Sequence, residues 1–132
     1  MYDYTYLLSH YLSMFLTGLA TTAEVSFLAF ILALTIGLVG VAARRSRVRV
    51  FRVIAGVYVE IIRNTPLLAQ VFLIFFGLPA IGLKFTNFEA AVIALGVSGG
   101  GYLIEILRAG FDSVPGGQRE AAVAVGLSKG DV

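Results

Sequence analysis

Charged residues are spaced so far apart along this chain that the gaps between them can cross a bilayer. Val25 to Ala43 is a run of 19 residues without a charge. As a helix it is about 28 Å long at ~1.5 Å per residue, close to the ~30 Å of a hydrocarbon core. The helical pattern starts earlier, near Leu16, so the predicted first span, about 16–43, takes in Glu24. A carboxylate within a span costs roughly 2.5–3.5 kcal/mol, which predicts that Glu24 lies against a partner helix or at the interface.

The second apolar stretch, Val50 to Leu83, is not uniform. Val50 to Ile62 is interrupted by Arg52 and Glu60; then come Arg63, Asn64, Thr65 and Pro66, then Leu67 to Leu83 with Gln70 as its strongest polar group. Proline suits the first turn of a helix, where its missing N–H is not needed. The pattern predicts an interfacial elbow helix over 50–62, then a second span within 65–83. One long helix kinked at Pro66 is the alternative. Pro79 and Gly82 mark its far end, and Lys84 to Asn87 reads as a short turn.

The third span, about 88–109, has Glu89 and Glu105 near its ends and Gly96, Ser98, Gly99, Gly100 and Gly101 between them. Gly96 and Gly100 form a G-x-x-x-G pair, a spacing of small residues that lets two membrane helices approach closely. Three consecutive glycines weaken a helix by about 1 kcal/mol each, which predicts a packed or broken helix rather than a lipid-facing one. The remaining 110–132 is a more polar tail, with a turn at Pro115, Gly116 and Gly117 and an alanine-rich helical pattern over Gln118 to Leu127.

Composition agrees with a membrane protein. The chain is 58% hydrophobic and 14% charged, whereas soluble domains are roughly 25% charged and ~45–50% apolar. That excess is too large for one small soluble core and calls for a lipid-facing surface. Arg44, Arg45, Arg47, Arg49 and Arg52 stand together without an acid among them. Such a cluster can mark nucleic-acid binding, but this one abuts a span in a short loop, where the positive-inside rule explains it and no nucleic-acid partner is expected. The loop is then cytoplasmic and Met1 is outside. Arg108, Arg119 and Lys129 put the tail on the cytoplasmic side as well, against one lysine in the outer turn. Met1 to His10 lacks the positive start of a signal peptide, so the first span is expected to stay in the mature protein.

No chemistry of its own is visible. There is no P-loop, since Gly126-Leu127-Ser128-Lys129 lacks both the spacing and the Ser/Thr after lysine, and Gly99 to Gly101 opens no dinucleotide fingerprint. The sequence has no cysteine, one histidine, His10, and no clustered metal ligands. No enzyme activity, cofactor or metal is expected, and any energy input must come from a gradient or another subunit. Gln70 and Ser98 are the candidates to line a solute path, with packing between helices as the other reading. Glu60 with Arg63, and Glu105 with Arg108, are spaced as i, i+3 ion pairs.

The tail narrows the reading. Glu120-Ala121-Ala122 is followed after three residues by Gly126 and preceded by Ser113-Val114-Pro115-Gly116-Gly117-Gln118. Small alanines let a helix seat closely on a partner, Glu120 in a first turn suits the positive end of the helix dipole, and Gly126 can end the helix. A second Glu-Ala-Ala, at Glu89-Ala90-Ala91, has its glycine one residue too far along, inside a hydrophobic segment. The tail resembles the EAA loop of permease subunits of binding-protein-dependent ABC importers, in particular the S-V-P-x-G-Q run of their polar amino-acid branch. Two more stretches resemble that branch. Tyr58-Val59-Glu60-Ile61-Ile62-Arg63-Asn64-Thr65-Pro66-Leu67-Leu68 with Gln70 looks like its Y-V-E-x-x-R-x-T-P-L-L-x-Q run, with Asn64 where glycine is usual, and Tyr102 to Gly110 looks like its Y-x-x-E-x-x-R-x-G stretch. The likeness runs from about Thr17 to Asp131.

The resemblance implies an all-α membrane protein with about three transmembrane helices and a short cytoplasmic coupling helix, as one permease domain over 1–132 with an incomplete MetI-like core. It implies residence in the bacterial inner membrane, and an importer built from a second permease subunit, a cytoplasmic ABC ATPase dimer and an external substrate-binding protein. Glu120, Ala121, Ala122 and Gly126 would make the ATPase-coupling contact. Family members continue into an I-x-L-P run and further helices, so the chain reads as the front part of such a permease. A truncated non-transporting remnant and a small oligomeric channel are the alternatives.

Overall fold

The computed structural model describes residues 4–126, all of whose regular structure is helical. Helix α1 is Tyr4–Arg45, α2 is Arg49–Asn64 and α3 is Leu67–Phe72. The chain then continues as a π turn over Leu73–Gly77 and a 3₁₀ turn over Leu78–Ile81, before α4, Asn87–Asp112, and α5, Gly116–Ala124. Two helices are long and apolar enough to cross a membrane, Ser9–Arg45 of α1 and the whole of α4. A third crossing exists only if α2 and the segment Leu67–Ile81 are taken as one broken span, bent by 105°.

The first span is longer than its apolar pattern suggests, because α1 extends unbroken to Tyr4. Its 42 residues make about 63 Å of helix, twice a hydrocarbon core. The hydroxyls of Thr17, Thr21, Thr22 and Thr35 each donate to the carbonyl four residues back, which hides their polarity within the helix. Glu24 is exposed on the surface of the chain. It lies 20 residues before Arg44, about 30 Å along the axis, a separation equal to one hydrocarbon thickness.

Helices α1 and α4 run parallel, in step, and form the core. Leu32 packs on Gly96, Ala33 on Gly99, Ile36 on Gly100, Gly37 on Leu103 and Gly40 on Ile104. A Cβ on Gly96 or Gly100 would stand 2.5 Å from Leu32 or Ile36, inside any permitted contact. The glycine run is therefore a packed helix and not a broken one; close backbone approach compensates the lost propensity. The buried apolar residues are mostly small ones such as Ala29, Ala33, Ala90 and Ala94, with Ile104 the largest side chain fully enclosed. Large apolar residues face outward instead, among them Phe15, Phe27, Phe30, Phe76 and Ile81. In water that surface would aggregate; in lipid it is the solvent-facing side.

Two parallel helices need a return path, and residues 49–86 supply it. Pro79 has no N–H to give the Phe75 carbonyl, so the α-helical ladder cannot run through, and the segment ends in looser and tighter turns. Gly82, at φ 88°, closes it in the left-handed conformation. Thr86 and Glu89 then open α4 with a capping box: the Glu89 N–H donates to Thr86 Oγ1 at 3.2 Å and the Thr86 N–H to Glu89 Oε2 at 2.8 Å. The Glu89-Ala90-Ala91 triplet is thus a helix start.

Candidate functional site

The bend between α2 and α3 is built by its own sequence. A helix end leaves carbonyls without partners, and a 105° turn cannot hand them to the next turn. Side chains of the Arg63-Asn64-Thr65-Pro66-Leu67-Leu68-Ala69-Gln70 run take them up. Asn64 Nδ2 donates to Glu60 O at 2.8 Å and Thr65 Oγ1 to Ile61 O at 2.7 Å. Gln70 Nε2 donates to both Ile62 O, at 3.0 Å, and Thr65 O, at 2.9 Å. Gln70 is buried by this, and its Oε1 has no partner among the described residues. Ser98 is half-buried on α4, beside Val97, whose carbonyl accepts the Tyr58 hydroxyl at 2.6 Å. No hydrogen bond joins Gln70 to Ser98.

Below the bend lies a polar cavity of about 460 Å³, lined by Arg44, Gly56, Val59, Glu60, Arg63, Asn64, Tyr102 and Glu105. Arg49, Arg52, Gly56, Glu60 and Arg63 recur at steps of three or four along α2, so one stripe of that helix is polar and its Gly56–Arg63 portion walls the cavity. A Cβ on Gly56 would sit 2.8 Å from Arg44 Nη1, so a larger residue there would displace the tip of that guanidinium. Arg44 Nη2 donates to Glu105 Oε1 at 3.2 Å, while Arg44 Nε is buried without a partner among the described residues. Arg108 reaches Glu105 Oε2 at 2.9 Å and Asp112 Oδ2 at 2.9 Å, and Arg45 reaches Asp112 Oδ1 at 3.1 Å. The Glu105–Arg108 pair expected at i, i+3 is therefore one edge of a larger network that ties α1 to α4. The other expected pair does not form: among the described residues Glu60 and Arg63 make no ion pair, and the Arg63 guanidinium lies 5.4 Å from the centroid of the Tyr102 ring. The cavity therefore holds Arg63 and Glu60 as charges not paired to each other.

Helix α5 packs on no other described element. Pro115 precedes it and Gly126, at φ 88°, closes it in the left-handed conformation. Because α5 begins at Gly116 rather than Gln118, Glu120 stands in its second turn, and the dipole reason for Glu120 loses most of its force. Glu120 and Ala121 are exposed and Ala122 partly so. The side chain of Arg119 and everything beyond Gly126, including Lys129, lie outside the described residues.

A parallel pair of glycine-packed helices long and apolar enough to cross a membrane, with a broken return segment between them, defines a polytopic helical membrane protein. Comparison with known proteins places it further. Residues 36–132 match the model of the binding-protein-dependent transport system inner membrane component family, and the chain belongs to that family. It is 41% identical over 111 residues to the L-cystine transport system permease protein TcyB of Bacillus subtilis, which covers 84% of this chain and 47% of that protein. It is 40% identical over 116 residues to the arginine transport system permease protein ArtQ of the same organism, covering 87% of this chain and 53% of that one. A crystal structure of an amino acid ABC transporter with histidines superposes with a TM-score of 0.89 at 35% identity, over 98% of this chain and 60% of that chain. The chain spans about half the length of the curated relatives it matches.

Proposed function

We propose that this chain is a transmembrane permease subunit of an ABC importer for polar amino acids. The observation that carries the reading is α5, a helix between Pro115 and a left-handed Gly126 that packs on no other described element and bears Glu120, Ala121 and Ala122. A helix left bare in this way suits docking on a cytoplasmic ATPase. Hydrolysis is assigned to that partner, since the chain carries no phosphate-binding loop. A second permease subunit completes the path and an external binding protein delivers the substrate. The loop 46–48 and the tail are cytoplasmic, and Met1 is external.

An amino acid carries a carboxylate and an ammonium group. The cavity beside α2 offers Arg63 to the first and Glu60 to the second. Gln70 keeps only Oε1 for a passing solute, because its amide nitrogen is held by the bend. Ser98, on the glycine-packed stretch of α4, is retained as a path residue. The test is ATP-dependent uptake of radiolabelled amino acids by proteoliposomes holding the permease, the ATPase and the binding protein. Uptake lost in Gly126→Asp but retained in Gly18→Ala supports the reading. Uptake without ATP, or of inorganic ions alone, favours a channel.

A further inference from the structure

The glycine seam between α1 and α4 ends where Gly40 meets Ile104. Past it, Ala109, Gly110, Phe111 and Asp112 are all exposed, and a Cβ on Gly110 would meet nothing within 4 Å. The last turn of α4 is therefore held to α1 by charge rather than by buried packing. Asp112 is the centre of that hold. Its Oδ2 accepts from Arg108 Nη1 at 2.9 Å, one turn back on its own helix, and its Oδ1 accepts from Arg45 Nη1 at 3.1 Å, at the end of α1. Glu105 fixes Arg108 in turn, and the Arg45 guanidinium also lies 4.9 Å from the centroid of the Phe111 ring. One carboxylate thus joins the ends of two helices.

Only residues 113–115 separate Asp112 from α5. Ser113 prolongs the last turn of α4: its N–H donates to Ala109 O at 3.0 Å and its hydroxyl to Gly110 O at 2.8 Å. Pro115 has its φ fixed by its ring, and its carbonyl accepts the Gln118 N–H at 3.0 Å inside the first turn of α5. Val114 is left as the loosest residue of the connection. With so little slack, the direction of α5 follows that of the last turn of α4.

We propose that Asp112 and Arg45 are positioning residues for α5. Their ion pair fixes the end of α4 against the end of α1, and through residues 113–115 it fixes the direction in which α5 leaves the two spans. The inference rests on the reading of α5 as the coupling helix. It adds that a push on α5 reaches both spans at once, through a contact that contributes little to the stability of the fold.

The experiment is pulsed EPR on the full chain in lipid nanodiscs, with nitroxide labels on Val123→Cys and Phe30→Cys. Both sites are more than half exposed, and the sequence has no other thiol. One narrow distance between α5 and α1 is expected. Asp112→Asn and Arg45→Gln should each raise the broad, released population relative to the held one by up to about fivefold, the worth of an exposed ion pair. Asp112→Glu, which keeps the charge, should keep the narrow distance. In proteoliposomes with the ATPase and the binding protein, Asp112→Asn should raise the ATP hydrolysed per amino acid imported, and Asp112→Glu should not. A distance that is broad before any change at Asp112, or unchanged by Asp112→Asn, overturns the proposal. So does equal broadening by Asp112→Glu, or an ATP ratio that Asp112→Asn leaves alone. If the parent chain shows no ATP-driven uptake while its narrow distance still depends on Asp112, the importer reading fails and the hold on α5 stands.

Discussion

Arg44 and Glu105 are 61 positions apart in sequence, yet Arg44 Nη2 lies 3.2 Å from Glu105 Oε1 and fixes the register of α1 against α4. Glu105 also holds Arg108 at 2.9 Å, and its side chain is 19% exposed. Loss of one partner from a largely buried charged hydrogen bond costs about 1.5–3 kcal/mol. Glu105→Gln is expected to lower stability in detergent by that amount, read as a fall in the thermal midpoint. Asp112→Asn, whose side chain is 51% exposed, should cost at most about 1 kcal/mol. Equal losses would mean that Glu105 does not key the two spans.

The glycine seam makes a sharper demand. Gly100→Leu puts a side chain where Ile36 already stands, and Gly96→Leu where Leu32 stands. Neither backbone can retreat without parting the two helices, so both variants are expected to lose the folded state, read as loss of protease protection of α4. Gly18 has open space around its Cβ position. Gly18→Ala should be neutral or stabilising by about 0.5–1 kcal/mol.

Gln70 acts on the bend. Gln70→Leu strips hydrogen bonds from the Ile62 and Thr65 carbonyls and should cost about 1–3 kcal/mol. Hydrogen exchange should quicken in 60–72 before it does in α1. If exchange there is unchanged while uptake falls, Gln70 belongs to the solute path rather than to the bend.

The sidedness can be read directly, because the chain has no cysteine. Arg47→Cys and Lys84→Cys each introduce one thiol. A membrane-impermeant maleimide is expected to label Lys84→Cys in intact cells and Arg47→Cys only after lysis. The reverse pattern would invert the proposed topology.

Much of this was legible from spacing alone. Val25 to Ala43 and Phe88 to Ala109 fall within the two long helices, because charge-free runs of bilayer length have few other uses. The elbow was legible too, since a polar tetrad ending in Pro66 can scarcely continue a helix. Its purpose was not: that Asn64, Thr65 and Gln70 serve carbonyls four, four and eight residues back depends on the bend angle, which no periodicity encodes. The polar stripe from Arg49 to Arg63 was a signal present and unread, as was the Thr86-x-x-Glu89 capping box. The failure of Glu60 and Arg63 to pair is a tertiary effect, because the Tyr102 ring from α4 lies under the guanidinium.

The central claim is that α5 couples this chain to an ATPase, and one cross-link tests it most directly. Ala122→Cys gives a single thiol on the exposed helix of a cysteine-free chain. It should form a disulfide or short bismaleimide cross-link to the co-expressed ABC ATPase, with a yield that changes when ATP is added. Val53→Cys, exposed on α2, should form none. No cross-link from Ala122→Cys in a membrane where Lys84→Cys labels normally would contradict the claim.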